Sequence, residues 1–216
     1  MKATTRTVEA DDAGTGEGSV PVLLLGEENT MAANSSANVS VGKPMAAGGI
    51  YSGATTVTKP VNATAALATG IENLGFVSNE GLTNSIEMDT EEIQEWGGNT
   101  VLTVRTSRTE KFQWTFIETN ELVLKEVYGQ ANVTKASDAL TVLHNGAELP
   151  QRLYVFEIAL TGNKVKRIVV PLGKITEIGD VVYASGEPIG YQVTLSCSPD
   201  ASGVTVYEYI APVVTP

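Results

Sequence analysis

The chain holds one cysteine and one histidine, the side chains that most often pair as nucleophile and base. Cys197 closes the alternating apolar run YQVTLSCS, which predicts one face of a strand and a buried thiol. His144 lies in the turn-like segment HNG, and nothing in the sequence predicts that the two side chains meet. One Cys and one His cannot make an ordinary zinc site, and a single thiol excludes an internal disulfide.

Carboxylates are concentrated between residues 71 and 100, a segment with seven acids and no base. Neighbours such as Glu91 and Glu92 could act as acid and base only if a cleft presented them to a substrate. No motif predicts such a cleft, and no glycine cluster with a following Lys and Ser/Thr predicts a phosphate-binding loop. The sequence therefore supports no enzyme activity and implies no cofactor.

The overall charge argues against ordinary nucleic-acid binding. The 216 residues include 25 acids and 14 bases, a formal charge of −11. A DNA-binding surface needs a basic patch, and the one short basic run (Lys164, Lys166 and Arg167) fits a solvated strand end. Only 18% of residues are charged, whereas 42% are apolar. This balance is common in β-rich proteins that bury surface against copies of themselves.

The stretch 101–129 contains the strongest structural pattern. Phe112, Trp114 and Phe116 recur at a spacing of two, which predicts that they share one face of a strand. Gln113 and Thr115 then lie on the opposite face. The aromatic stripe is expected to belong to the core.

A helix is predicted directly after this strand. Apolar residues recur at three-and-four spacing between Val123 and Tyr128, as in a helix stripe. Thr119 or Asn120 can cap the start, and Gly129 suits the end. The helix is therefore expected to pack beside the strand that precedes it.

The remainder predicts short strands bounded by Gly, Pro or Asp. Residues 152–173 read as a hairpin that turns at 161–164, and HNG at 144–146 suits another tight reversal. Residues 175–210 add three more strands. The predicted fold is mainly β, an antiparallel barrel or sandwich with one flanking α-helix.

Two regions are expected. Residues 1–48 are rich in Gly, Ala, Ser, Thr and Asn, which predicts a flexible N-terminal arm, and its apolar run VPVLLLG is too short to span a bilayer. Residues 49–216 are predicted to form a single β domain with a long loop around 76–100. In that loop, Asp89 and Glu92 have capping-box spacing, which predicts a short helical turn through Ile93. Trp96, followed by two glycines, could anchor an interface or fold back on its own core.

Several phrases occur in a characteristic order: GGIY, NLGFVSNEG, WGG, FQWTFIETNELVLKEVYG, RIVVPLGKITEIGDVVY, GEPIGYQVTLSCSPD and a final YEY. Over roughly residues 34–210, this ordered set resembles the major tail protein, or tail tube subunit, of bacteriophages with long, non-contractile tails. The resemblance is strongest to phages that infect actinobacteria. No single phrase is diagnostic, so the resemblance rests on the set.

The resemblance implies a structural virion protein made in the host cytoplasm. Members of this family form hexameric rings that stack into a hollow tube, through which the genome passes during ejection. The expected partners are further copies of the chain, together with tail terminator, tape measure and baseplate proteins. DNA would pass without specific binding, and no membrane is involved.

Stacking needs contacts between unlike surfaces, which the N-terminal segment and the acidic loop could supply. The candidate interface residues are Leu24, Leu25, Val41, Asp89, Ile93 and Trp96. An uncharged polar strand face would let DNA slide, whereas a basic wall would bind phosphates. The candidate lumen residues are Gln113, Thr115, Gln192, Thr194 and Ser196.

Two alternatives stay open. A β-rich binding module, such as an adhesin or carbohydrate-binding domain, would show a concave aromatic platform. Another tail or head-tail structural component could share the same fold, because a fold does not determine function. Copy number in the virion would separate that component from a tube subunit.

Overall fold

The computed structural model describes residues 34–45 and 48–213. Within these residues, eleven strands and one α-helix follow one another. They are β1 (Gly42–Pro44), β2 (Ile50–Ala54), β3 (Ile71–Asn73), β4 (Thr83–Gln94), β5 (Thr100–Phe116), α1 (Glu121–Tyr128), β6 (Val133–Ala136), β7 (Ala139–Val142), β8 (Arg152–Leu160), β9 (Lys164–Ile178), β10 (Tyr191–Ser198) and β11 (Tyr207–Pro212).

Nine strands form one antiparallel sheet, whose main path runs β3-β2-β8-β9-β10-β5-β4. β1 and β2 pair with the same edge of β8, one after the other along that strand. In the same way, β11 and β10 pair with the same edge of β9. β6 and β7 form a separate two-stranded hairpin. This arrangement confirms the predicted class, mainly antiparallel β with one flanking helix.

The main core lies on the sheet face that carries the aromatic stripe. Phe112, Trp114 and Phe116 are all buried, as their spacing predicted. The ring of Phe156 on β8 stacks on Phe112 at 5.0 Å and meets Trp114 edge-on at 5.4 Å. α1 covers the same core with Val123, Leu124 and Val127. Strand and helix therefore belong to one hydrophobic cluster, the source of most of the stability of such a fold.

Asn120, rather than Thr119, caps α1. The Asn120 side-chain oxygen accepts a hydrogen bond of 2.9 Å from the Val123 amide. Thr119 instead exchanges a hydrogen bond with the Tyr191 hydroxyl, at 3.2 Å. Gly129 ends the helix with φ +102° and donates its amide to the Lys125 carbonyl. The predicted helix and its C-terminal glycine are confirmed.

The long loop predicted around 76–100 is wrong for most of its length. Residues 83–94 are strand β4, which pairs with β5 from Thr83 opposite Gln113 to Gln94 opposite Thr100. The helical turn through Ile93 is also absent, because Asp89 and Glu92 face β5 partners in an extended ladder. All of β4 is exposed, so its sequence lacks the apolar-polar alternation that marks a half-buried strand.

Two further boundaries differ from the prediction. Residues 42–44, assigned to the flexible arm, are strand β1 and pair with β8 from Gly42 opposite Leu160 to Pro44 opposite Ile158. The hairpin between β6 and β7 turns at 137–138, not at HNG, and Ser137 adopts φ +55°. Asn145 of HNG instead exchanges side-chain hydrogen bonds with Asn132. Both segments are too short for sequence periodicity to reveal their pairing.

Candidate assembly surfaces

A long hairpin formed by β4 and β5 leaves the sheet. β10 pairs with β5 only from Tyr191 opposite Phe116 to Ser196 opposite Lys111. Residues 100–110 of β5 therefore have β4 as their only strand partner in the described chain. At about 3.3 Å per residue, this part extends roughly 35 Å. We call the projecting ribbon, residues 86–110, the β4–β5 hairpin.

Side-chain hydrogen bonds reinforce the hairpin along its length. At the tip, the Glu95 amide donates to the Asn99 carbonyl at 3.0 Å, and the Asn99 side chain donates to Glu95 Oε1 at 2.6 Å. Midway, the Ser107 hydroxyl donates to Asp89 at 2.6 Å. Isolated two-stranded ribbons are marginally stable in water. These bonds help to hold the ribbon extended.

The hairpin exposes apolar side chains that a monomer would normally bury. Trp96 at its tip is fully exposed, with a relative accessibility of 105%. The other exposed apolar residues are Ile86, Met88, Ile93, Val101, Leu102 and Val104. Ile93 stands directly opposite Leu102. Exposed apolar side chains concentrated on one hairpin in this way favour a protein–protein contact site.

Three of the six predicted interface residues lie on the β4–β5 hairpin. Trp96 does not fold back on its own core, which leaves the interface alternative. Ile93 is exposed on the same hairpin, and Asp89 is held there by Ser107. Val41 lies beside β1, is exposed, and donates its amide to the Thr161 hydroxyl at 3.1 Å. Leu24 and Leu25 lie outside the described residues.

A polar cluster around the buried Glu110 joins the hairpin to the rest of the sheet where β5 leaves it. Glu110 is only 6% exposed and accepts hydrogen bonds from Arg108 at 2.9 Å and from the Thr205 hydroxyl at 2.8 Å. Arg108 also donates to Thr205 at 3.1 Å, and the Asn84 amide donates to Glu110 at 3.4 Å. Because these four residues lie at the base of the hairpin, we call them the base cluster. It connects both hairpin strands to the loop between β10 and β11.

Asp200 holds the other end of that loop. Its carboxylate accepts hydrogen bonds from Lys59 at 2.5 Å, from the Tyr207 hydroxyl at 2.8 Å and from the Ser202 amide at 2.9 Å. The Lys59 ammonium also lies 4.0 Å from the centre of the Tyr207 ring. The bonds from Lys59 and Tyr207 hold the pKa of the Asp200 carboxyl well below its usual range. The same contact with Asp200 raises the pKa of Lys59.

These shifts predict a pH dependence of stability. Because the pKa of Asp200 is lower in the folded chain, its stabilisation is fully present above the ordinary carboxyl pKa of about 4 and is lost progressively as the pH falls from there through the lowered pKa of the folded chain. Asp200→Asn should therefore lower the urea midpoint most at pH 6 and by a smaller amount at pH 3, where part of the stabilisation is already lost. A decrease of equal size at both pH values would contradict the ionic contribution. Glu187→Gln, in an exposed loop, is the control.

The five candidate lumen residues do share one face of the sheet. Gln192 stands opposite Thr115, and Thr194 stands opposite Gln113; antiparallel partners project to the same side. Gln113 and Gln192 are exposed, whereas Thr115 and Ser196 are half-buried. β4 extends this surface with Thr83, which stands opposite Gln113. We call this surface the polar face.

Thr194, one of the five predicted lumen residues, is buried and does not fit that prediction. It is 8% exposed and so contributes little to any wall. Its neighbours across β5 and β9 are Gln113 and Glu177, both with longer side chains. Lysines border the polar face, since Lys111 and Lys174 stand on either side of Ser196. Lys174 is paired with Glu148 at 2.8 Å.

The residues with potential chemistry do not form a reactive site. Cys197 is buried, as predicted, and burial raises the pKa of its thiol to about 12. His144 is exposed and lies against the Tyr128 ring, with ring centres 4.2 Å apart. No cluster of three or more potential metal ligands occurs in the described ranges. The helix between 121 and 128 is too short to cross a membrane, and none in the described chain is long and apolar enough.

Comparison with known proteins gives a distant structural likeness. No protein family matches the chain, and no curated protein matches it in sequence. Among solved structures, it is similar to the tube terminating cap of the anti-feeding prophage, determined by cryo-electron microscopy. The identity is 15% and the TM-score is 0.39, over 84% of this chain and 99% of that one. A similarity this distant assigns neither family nor function.

Proposed function

We propose that this chain is a structural protein of a phage tail, and specifically the subunit of the tail tube. In this proposal, copies of the chain form hexameric rings, and the rings stack into a hollow tube that conducts DNA. The protein has no enzymatic role and resides in the virion. Tail terminator, tape measure and baseplate proteins are its further partners.

The observation that carries the proposal is the β4–β5 hairpin. A ribbon of roughly 35 Å with a fully exposed tryptophan at its tip is unfavourable in a permanent monomer. It becomes favourable when a neighbouring copy covers the apolar side chains. When the hairpin contacts a different surface of the next copy, the same contact can repeat from copy to copy, because unlike surfaces join subunits head to tail.

The polar face supports the same role. Its exposed glutamines carry no charge, so they do not attract phosphates by counterion release. The net charge of −11 further disfavours retention of DNA. Apart from Lys111 and Lys174 at its border, a wall of this composition can lie beside moving DNA without binding it. The lumen assignment of Gln113, Thr115, Gln192 and Ser196 is part of the proposal.

The proposal is tested by negative-stain electron microscopy of the purified full chain over a range of concentrations, beside sedimentation velocity. Rings or hollow tubes with six-fold projections are expected as the concentration rises. A chain that stays monomeric at every concentration would contradict self-assembly. Rings with another symmetry would contradict the hexamer but not the tube.

A further inference from the structure

An apolar groove opens on the sheet at the end opposite the hairpin tip. Its apolar lining comes from β1, β2, β8 and the segment that precedes β4, and its volume is about 550 Å³. The lining residues are Pro44, Ile50, Val77, Leu82, Phe156 and Ile158. Ile50 and Phe156 are buried and form its floor, and Val77, Leu82 and Ile158 are half-buried. Lys43, Asn79 and Glu80 also border the groove.

The hairpin tip of the same chain cannot fill this groove. Leu82 lines the groove and directly precedes β4, and β4 is extended from Thr83 to Gln94. Twelve residues of strand carry the tip about 40 Å away from Leu82. The strand pairs with β5 throughout, so it cannot fold back without loss of that ladder. A hairpin tip that fills this groove must therefore come from a second copy.

We propose that the groove receives the Trp96 tip of a second copy. This inference rests on the proposed function and identifies the receiving surface for the hairpin. Gly97 and Gly98 follow Trp96 and have no side chains, so the tip stays narrow beside the indole. The indole supplies a large apolar area, which the groove floor would bury. Each copy then offers one tip and one groove, so the contact is heterologous and repeats from copy to copy.

Charge gives the contact an orientation. Glu91, Glu92 and Glu95 flank the tip, and no base lies among residues 83–104. Lys43 on the groove border is exposed and forms no ion pair within the described chain. Glu80 stands on the same border. The acidic side of the tip therefore faces Lys43 and turns away from Glu80.

Cysteine cross-linking tests the contact in the full chain. Gly97→Cys leaves Trp96 intact, and Asn79→Cys places a thiol on the groove border without removal of an apolar lining residue. Cys197 is buried, and its raised pKa keeps it out of the reaction. With a short bifunctional maleimide, the double variant is expected to give a ladder of dimers, trimers and longer species. A mixture of the two single variants is expected to give dimers only.

The control pairs Gly97→Cys with Ser185→Cys, an exposed position in the loop between β9 and β10, and no ladder is expected. Lys43→Glu should reduce the yield of the 97–79 product roughly fivefold, the effect of one exposed ion pair. Dimers of Gly97→Cys alone would show tip-to-tip contact and overturn the proposal.

The outcomes separate this inference from the proposed function. Tubes without a 97–79 product would overturn the groove as the receiving surface and leave the tube assignment intact. A ladder without tubes would support the groove contact and contradict the tube. Absence of both would overturn both. Circular dichroism of each variant confirms that a missing product does not reflect an unfolded chain.

Discussion

Replacement of Glu126 by alanine is expected to lower the free energy of unfolding by about 3–5 kcal/mol, the loss that follows removal of one partner from a buried ion pair. Glu126 lies on α1, is 4% exposed, and faces the sheet. Arg152 Nε on β8 is 2.7 Å from its carboxylate. The variant would leave this guanidinium half-buried without its counter-ion.

Two hydroxyl groups would also lose their acceptor. The Tyr154 hydroxyl donates to Glu126 Oε2 at 2.6 Å, and the Ser52 hydroxyl donates to Oε1 at 2.7 Å. Burial, with the neighbouring carboxylate, raises the pKa of Tyr154, so its hydroxyl remains a donor. A buried donor without an acceptor costs more than a hydrogen bond contributes when it is made. Glu126 therefore joins β2, α1 and β8 through one carboxylate.

Urea unfolding followed by circular dichroism measures this loss. Glu126→Gln retains the shape and one acceptor oxygen, so it should lose less stability than Glu126→Ala. Glu121→Ala removes a half-buried i,i+4 partner of Lys125 on the same helix and should change the midpoint little. A Glu126→Ala midpoint equal to that of Glu121→Ala would show that the cluster contributes no net stability.

Trp96→Ala is expected to leave the monomer folded and to block tube growth. The side chain touches no core in the monomer, since it is fully exposed, so the urea midpoint should stay within error. In an assembly, a central tryptophan contributes about 2 kcal/mol or more to each contact. Its loss would raise the critical concentration for growth at least about 30-fold.

Light scattering against protein concentration measures that threshold, and electron microscopy identifies the product. The matched control is Tyr183→Ala, which removes another exposed aromatic side chain, at 74% accessibility, from a loop remote in sequence from the hairpin. We expect Tyr183→Ala to polymerise like the parent chain. Unchanged polymerisation of Trp96→Ala would remove the hairpin tip from the interface.

The local sequence pattern was sufficient to predict an element where one side of that element is buried. Phe112, Trp114 and Phe116 alternate because one face of β5 packs against the core, so both the strand and its buried face could be predicted. Asn120 and Gly129 lie at helix ends, where the backbone needs a cap, and residue type alone reveals such positions. The burial of Cys197 followed from the same alternation.

Local pattern failed where an element is exposed on all sides. β4 has no buried face within the described chain, so nothing constrains its residues to alternate, and its many acidic residues led to the prediction of a loop. The base cluster was also missed, because Thr205 reaches Glu110 across 95 positions of sequence. Neither residue belongs to a motif, so sequence spacing gave no signal.

The sequence by itself determined the β class, the strand-to-helix unit with its caps, the buried thiol, the acidic balance and the polar residues of one sheet face. These properties depend on residue type and on spacings of two to four positions, which act within one element. Only the tertiary structure decided that residues 86–110 form a projecting hairpin, that Trp96 is exposed, that Thr194 is buried, and that a groove lies about 40 Å from the tip. These features depend on which strands pair and on where one strand extends beyond the end of its neighbour. Local spacing does not reveal them, because cross-strand pairing joins residues that are distant in sequence.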